Sequence, residues 1–322
     1  MSISMLTAFL HVSLALRLIV LGGCYWLFAV SGMADDAGVS VQTGQKIVFL
    51  GDSVTAFGWE YPTGYIHLIS QALAMQGRQI EVLPAGGKGD TSKSILARLD
   101  ADVLNKKPDW VILNCGLDDV WYGANSVPLD QYKQNISSII DKITAAGIKI
   151  VILTSTMIGE DPNGPNNQTL ETYNDFLRSL AKEKKMPIAD LYADMVNEVT
   201  KIHASNPNSA GNLLTIDGIH MNGLGSEMMA SGVLKALGCS DSNLAQAEAA
   251  WNELPNAMVL SPVKLTVHQY EQMQALAGQR GCSVDKLVND TFTTSMAELL
   301  NTNSPPQDPS VPTAPQVPKV GP

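Results

Sequence analysis

Positive charge is scarce in this chain. Its 322 residues hold 21 Lys and Arg against 31 Asp and Glu, a formal net charge of −10. No basic patch interrupts that balance, so nucleic acid, which is bound through Lys and Arg on its phosphates, is excluded as a partner. Cysteine is also sparse, at four residues. Cys24 lies in the N-terminal apolar segment, and Cys115 ends an apolar run and reads as a small buried residue. That leaves Cys239 and Cys282 as a pair that an oxidising compartment would allow to join. A long apolar span is missing too: Leu18 to Val30, after the single basic residue Arg17, falls short of the roughly 20 residues that a spanning helix needs.

What is present is a globular chain with distinct ends. Hydrophobic residues make up 45% and charged residues 16%, enough apolar material for a substantial core. Residues 1–34 read as a secretory signal, with Ser31-Gly32-Met33-Ala34 as the small-residue cleavage site. The alternatives are membrane attachment through an uncleaved N-terminus, or a lipoprotein at Leu21-Gly22-Gly23-Cys24. The expected location is therefore exported, either periplasmic or extracellular. From about residue 45 to 238, apolar strands alternate with amphipathic helices. This predicts an α/β three-layer sandwich, flavodoxin-like, with five parallel strands ordered 2-1-3-4-5. Residues 239–302 predict a helical appendage, in which Val263-Lys264-Leu265-Thr266, a helix to Arg280, Gly281-Cys282-Ser283 and a second helix resemble a ribbon-helix-helix module. In an acidic, exported chain this reads as a helical hairpin or a dimer contact rather than a DNA reader. Residues 303–322, rich in Pro, predict a disordered tail.

The chemistry sits in short blocks at strand ends. Gly51-Asp52-Ser53 closes the apolar run Ile47-Val48-Phe49-Leu50, which puts a serine hydroxyl at the carboxyl edge of a sheet, where open α/β sheets build sites. A serine hydroxyl needs a base, a group to orient that base, and donors for the developing oxyanion. Of the five histidines, His11 lies in the N-terminal apolar segment, and His67, His203 and His268 fall in helical stretches. His220 alone sits in a short loop, Asp217-Gly218-Ile219-His220, where the Asp three residues earlier can fold back onto the imidazole. Gly89-Asp90-Thr91-Ser92 and Gly116-Leu117-Asp118-Asp119 each follow a strand and offer backbone amides. Each block taken alone is also ordinary turn and cap chemistry.

Together, in this order, the four blocks resemble those of the SGNH (GDSL) serine hydrolases, over roughly residues 45–238. That resemblance implies an ester hydrolase with Ser53 as nucleophile, His220 as base and Asp217 as its partner. It implies an oxyanion hole from the amides of Ser53 and Gly89 plus the side chain at position 118, and neither a metal nor an organic cofactor. The implied substrate is a small-molecule, carbohydrate or lipid ester. A polysaccharide O-deacetylase is the runner-up, and a catalytically impaired carbohydrate- or lipid-binding module is the reading from a different class. Trp59, Trp121 and Tyr122 are candidates for the substrate wall, against plain packing. One residue departs from the pattern: position 118 is normally Asn and here is Asp118, which when ionised has no proton to donate. Three readings follow: a protonated Asp118, a substitute donor in Asn114, or weakened catalysis.

Overall fold

The computed structural model describes residues 39–123, 126–209, 211–254, 267–282 and 284–302. Five strands, β1 (Lys46–Gly51), β2 (Glu81–Gly86), β3 (Trp110–Asn114), β4 (Lys149–Leu153) and β5 (Ile188–Ala189), form one sheet in the order β2-β1-β3-β4-β5. All four neighbouring pairs are parallel. The central strands are continuous apolar runs rather than alternating ones, because helices cover both faces. Ile47, Val48, Phe49 and Leu50 are all fully buried. The expected architecture and strand order are thus the observed ones.

The register decides where chemistry can occur. Gly51 lies opposite Gly86 on one side and Asn114 on the other, so the carboxyl ends of β2, β1 and β3 are level. The chain leaves β1 and β3 toward opposite edges of the sheet, and such a switch point opens a crevice at that end. Gly51 is required there: a side chain would run into the Thr55 hydroxyl and meet the Asn114 carbonyl at 2.7 Å.

Helices follow the strands: α1 (Ser53–Glu60), α2 (Tyr65–Met75), α3 (Ser92–Asp102), the short α4 (Leu117–Trp121), α5 (Leu129–Ala145), α6 (Pro165–Lys184), α7 (Leu191–Ser205) and α8 (Gly223–Ala236). In α5 the helical spacing of Tyr132, Ile136, Ile139, Ile140 and Ile143 makes one buried stripe. It stops at Gly147, whose φ of +76° allows Ile148 N–H to return to the Ile143 carbonyl.

The chain divides into two compact units at Leu260/Ser261. The helix expected to open the appendage, α9 (Asp241–Trp251), belongs to the first unit, where Leu244, Ala247 and Trp251 enter the common core. The second unit has α10 (Val267–Gln279) and α11 (Val284–Thr302), which pack on each other, with Ala277 and Leu287 buried. Cys115 is a buried free thiol. Among the described residues no helix is long and apolar enough to cross a membrane. The expected signal, the segment Val263–Thr266 and the Pro-rich tail lie outside the described residues.

Candidate active site

Ser53 is the first residue of α1, directly beyond β1. Asp52 caps this helix, its Oδ1 accepting from Val54 N–H at 2.9 Å. At this position the Ser53 amide has no intrahelical acceptor. The Ser53 hydroxyl lies 2.9 Å from His220 Nε2, and His220 Nδ1 lies 2.7 Å from Asp217 Oδ2. Asp217 Oδ1 also accepts from the amides of Ile219 (3.0 Å) and His220 (2.8 Å). Burial alone would raise the Asp217 carboxyl, but the His220 ring and these amides outweigh it and hold it below the ordinary carboxylate range. The Phe57 ring lies one helical turn after Ser53 and stacks on the imidazole, with centroids 4.1 Å apart.

The loop that carries His220 is tied down by one carboxylate. Glu160, after β4, accepts from the amides of Leu213 (2.6 Å), Leu214 (2.9 Å) and Thr215 (2.9 Å) and from the Thr215 hydroxyl (2.7 Å). Thr215 Oγ1 in turn accepts from Gly218 N–H at 3.1 Å, and the Gly218 carbonyl accepts from Gly159 N–H at 2.6 Å. Gly218 has a φ of +91°, a conformation that lets Asp217 turn back onto His220.

On the other side of Ser53 lies a turn, Gly87 to Asp90, closed by Asp90 N–H on the Gly87 carbonyl at 3.1 Å. Arg98 fastens it to the sheet, bonding Asp90 at 2.6 Å and the carbonyls of Gly51 (2.9 Å) and Ala85 (2.8 Å). Gly89 adopts φ +81°, and a side chain there would meet the Tyr122 hydroxyl at 2.7 Å. Asp118, on α4, is 5% exposed, and its Oδ2 has no partner. Burial, then Asp119 and Asp90, push its carboxyl up to about 6 against the opposing pull of His220. Asp119 is held by Ser92 N–H at 3.1 and 2.9 Å and by the Ser92 hydroxyl, though burial still raises it. Asp52 is fully buried with Oδ2 unpartnered, and burial followed by the Asp118 charge pushes it well up. Ser53, Phe57, Lys88, Gly89, Asp118, Trp121, Tyr122, Ile219 and His220 line a cleft of about 230 Å³.

A serine, imidazole and carboxylate in hydrogen-bonded sequence can carry out acyl transfer. Comparison with known proteins points the same way, since residues 49–228 match the GDSL-like Lipase/Acylhydrolase family. The chain belongs to that family. This acylhydrolase is 28% identical over 182 residues to an acetylxylan esterase of Geobacillus stearothermophilus, covering 51% of this chain and 83% of that protein. It is 27% identical over 207 residues to esterase TesA of Pseudomonas aeruginosa, covering 64% and 90%. The crystal structure of the acetyl xylan esterase AlAXEase superposes with a TM-score of 0.55 at 29% identity, covering 59% of this chain and 98% of that one. The chain is a hydrolase that acts on ester bonds.

The structure brings together the residues expected of the acylhydrolase with two exceptions. Trp59 does not line the cleft; its ring stacks on His67 with centroids 4.5 Å apart, and its carbonyl lies 2.8 Å from His67 Nε2. Asn114 is also absent from the cleft, buried with its Nδ2 3.4 Å from the Thr55 hydroxyl. Trp121 and Tyr122 do stand at the cleft, 46% and 42% exposed. Sequence reasoning missed Phe57, although its place four residues after Ser53 puts it on the same helix face. It also missed Lys88, which sits 4.7 Å over the Phe57 ring while pairing with Glu60 at 2.8 Å. Glu160 left no local signal, because its partners lie more than 50 residues away.

Proposed function

We propose that this acylhydrolase is an exported serine esterase that removes small acyl groups, acetyl above all, from hydroxyls of a carbohydrate. The observation that carries the reading is the unbroken chain from Ser53 Oγ through His220 to Asp217, at 2.9 and 2.7 Å. Ser53 Oγ attacks the ester carbonyl while its proton passes to His220 Nε2. The carbonyl electron pair moves onto oxygen, which faces the amides of Ser53 and Gly89. Collapse of this intermediate expels the alcohol, which takes the proton from His220. Water then repeats the sequence on the acyl-enzyme and frees the acid. Asp217 holds the tautomer and steadies the imidazolium without itself taking the proton.

Substrate size is inferred from the cleft. At about 230 Å³, walled by Phe57, Trp121, Tyr122 and Ile219, it suits an acetyl group better than a long chain. Trp121 and Tyr122 present exposed faces on which a sugar ring can lie. The relatives named as acetylxylan esterases support the same choice. Export rests on the N-terminal signal read from residues 1–34. The test is turnover of p-nitrophenyl acetate, butyrate and octanoate, and acetate release from acetylated xylo-oligosaccharides, beside Ser53→Ala. Acetate should be the best of the three, the oligosaccharide should be deacetylated, and Ser53→Ala should lose at least about 10⁴-fold in kcat. Equal turnover by the mutant would sink the triad, and an octanoate optimum would sink the small-acyl reading.

A further inference from the structure

We propose that Asp118 serves as a neutral carboxylic acid that donates a hydrogen bond to the oxyanion, so that this hydrolase holds a complete oxyanion hole only in mildly acidic water. The inference rests on the reading of Ser53 as nucleophile. Its geometric basis is the company Asp118 keeps. It lines the same cleft as Ser53, Gly89 and His220. It is almost wholly buried, and no partner reaches its Oδ2. A carboxylate in that state lacks donors such as those that stabilise Asp217, whereas a carboxylic acid lacks only an acceptor, and a tetrahedral intermediate supplies one.

The charges around it favour the acid. Asp119 follows it on the same helix, Asp90 faces it from the turn after β2, and Asp52 lies at the cap of α1; all are acidic. Lys88 lines the same rim but is engaged with Glu60 and the Phe57 ring. The Tyr122 hydroxyl, 3.5 Å from the Gly89 carbonyl, brings no charge. Among the described residues, protonated His220 is the neighbour that draws Asp118 most toward ionisation. The acidic majority and the burial together keep the proton on, as in sites where an aspartic acid is retained neutral to donate. The proton stays on Asp118 throughout; only its hydrogen bond strengthens as negative charge grows on the substrate oxygen. Once Asp118 ionises, the third donor is lost and a negative charge faces the oxyanion.

The test is the pH profile of kcat/KM for p-nitrophenyl acetate, read at the p-nitrophenol isosbestic wavelength, for wild type, Asp118→Asn, Asp118→Ala and Ser53→Ala. The Asn variant keeps a donor and cannot ionise. Its advantage over wild type should grow about tenfold per pH unit above about pH 6, up to the 10²–10³-fold worth of one oxyanion donor. Wild type should fall at alkaline pH to the level of Asp118→Ala or below it. A ratio of Asn variant to wild type that stays level from about pH 5 to 8.5 overturns the proposal. So does an Asn variant that is inactive throughout while folded by circular dichroism. If that variant fails to fold, the wild-type profile decides: a descending limb near pH 6 supports the proposal and a plateau overturns it. Turnover retained by Ser53→Ala removes the nucleophile assignment itself. Turnover lost in Ser53→Ala with a level ratio removes only the role of Asp118.

Discussion

Two kinds of carboxylate meet at this site, and they are treated in opposite ways. On the loop side, Asp217 takes hydrogen bonds from one imidazole and two amides, and Glu160 takes four, three of them from consecutive amides. On the sheet side, Asp52 and Asp118 each bury an oxygen that nothing reaches. The loop has only a short antiparallel bridge, Thr215 with Met221, and its saturated anions add bonds from carboxylate to backbone. The sheet side is already rigid through β1, β2 and β3, and its carboxylates are free to be short of donors. Asp217, saturated, is held low, while the starved Asp52 and Asp118 are pushed high and can keep a proton.

The largest expected break in this comparison is Glu160→Ala. It removes the anchor of Leu213 to Thr215, and should lower kcat by about 10- to 100-fold with little change in KM, because a base displaced by about 1 Å costs on that order. Glu160→Gln retains a carbonyl acceptor and should recover part of the loss. Steady-state kinetics decide the matter: a KM effect with kcat unchanged would mean that Glu160 shapes substrate binding and not His220. Thr215→Val should be milder, about 3- to 10-fold in kcat, because it removes one hydroxyl that bridges Glu160 and Gly218 N–H. An effect as large as that of Glu160→Ala would place the anchor in the hydroxyl.

The smallest change to activity, and the sharpest probe of the sheet side, is Asp52→Asn. The folded state raises the Asp52 carboxyl, so the folded protein binds more protons than the unfolded chain. Stability contributed by this group is present below the ordinary carboxylate range and is lost as pH rises toward the raised value. Asn keeps the cap oxygen and removes the charge. The melting temperature at pH 7 should rise by about 2–4 °C, the shift expected for roughly 1 kcal/mol in a protein of this size, and the gain should vanish near pH 4. Calorimetry at the two pH values gives the answer, and an equal gain at both would mean that charge is not the cause.

Much of this was legible in the sequence. The four blocks lie at strand ends because apolar runs stop where glycine and aspartate begin, and the strand order followed from the alternation of elements. His220 stood apart from the other histidines because it alone lies in a loop beside an aspartate. What stayed hidden depended on side-chain direction or on distance along the chain. Trp59 lies six residues after Ser53 and turns to His67 on another face of α1, while Phe57, at four, turns to the imidazole. Glu160 looks like any loop acid until the fold brings Leu213, Leu214 and Thr215 to it. The extent of the first unit was also hidden, because α9 has the composition of a surface helix yet inserts Trp251 into the core.

The bond between Ser53 and His220 spans 167 residues of chain. A polypeptide made from its N-terminus exposes the proposed nucleophile early, and the proposed base comes only after all five strands have been synthesised. Until the last loop settles against Glu160, the serine is no more reactive than any other alcohol. Catalytic competence is therefore a late readout of folding, and an acyl-enzyme signal in a refolding experiment would time the closing of the native structure.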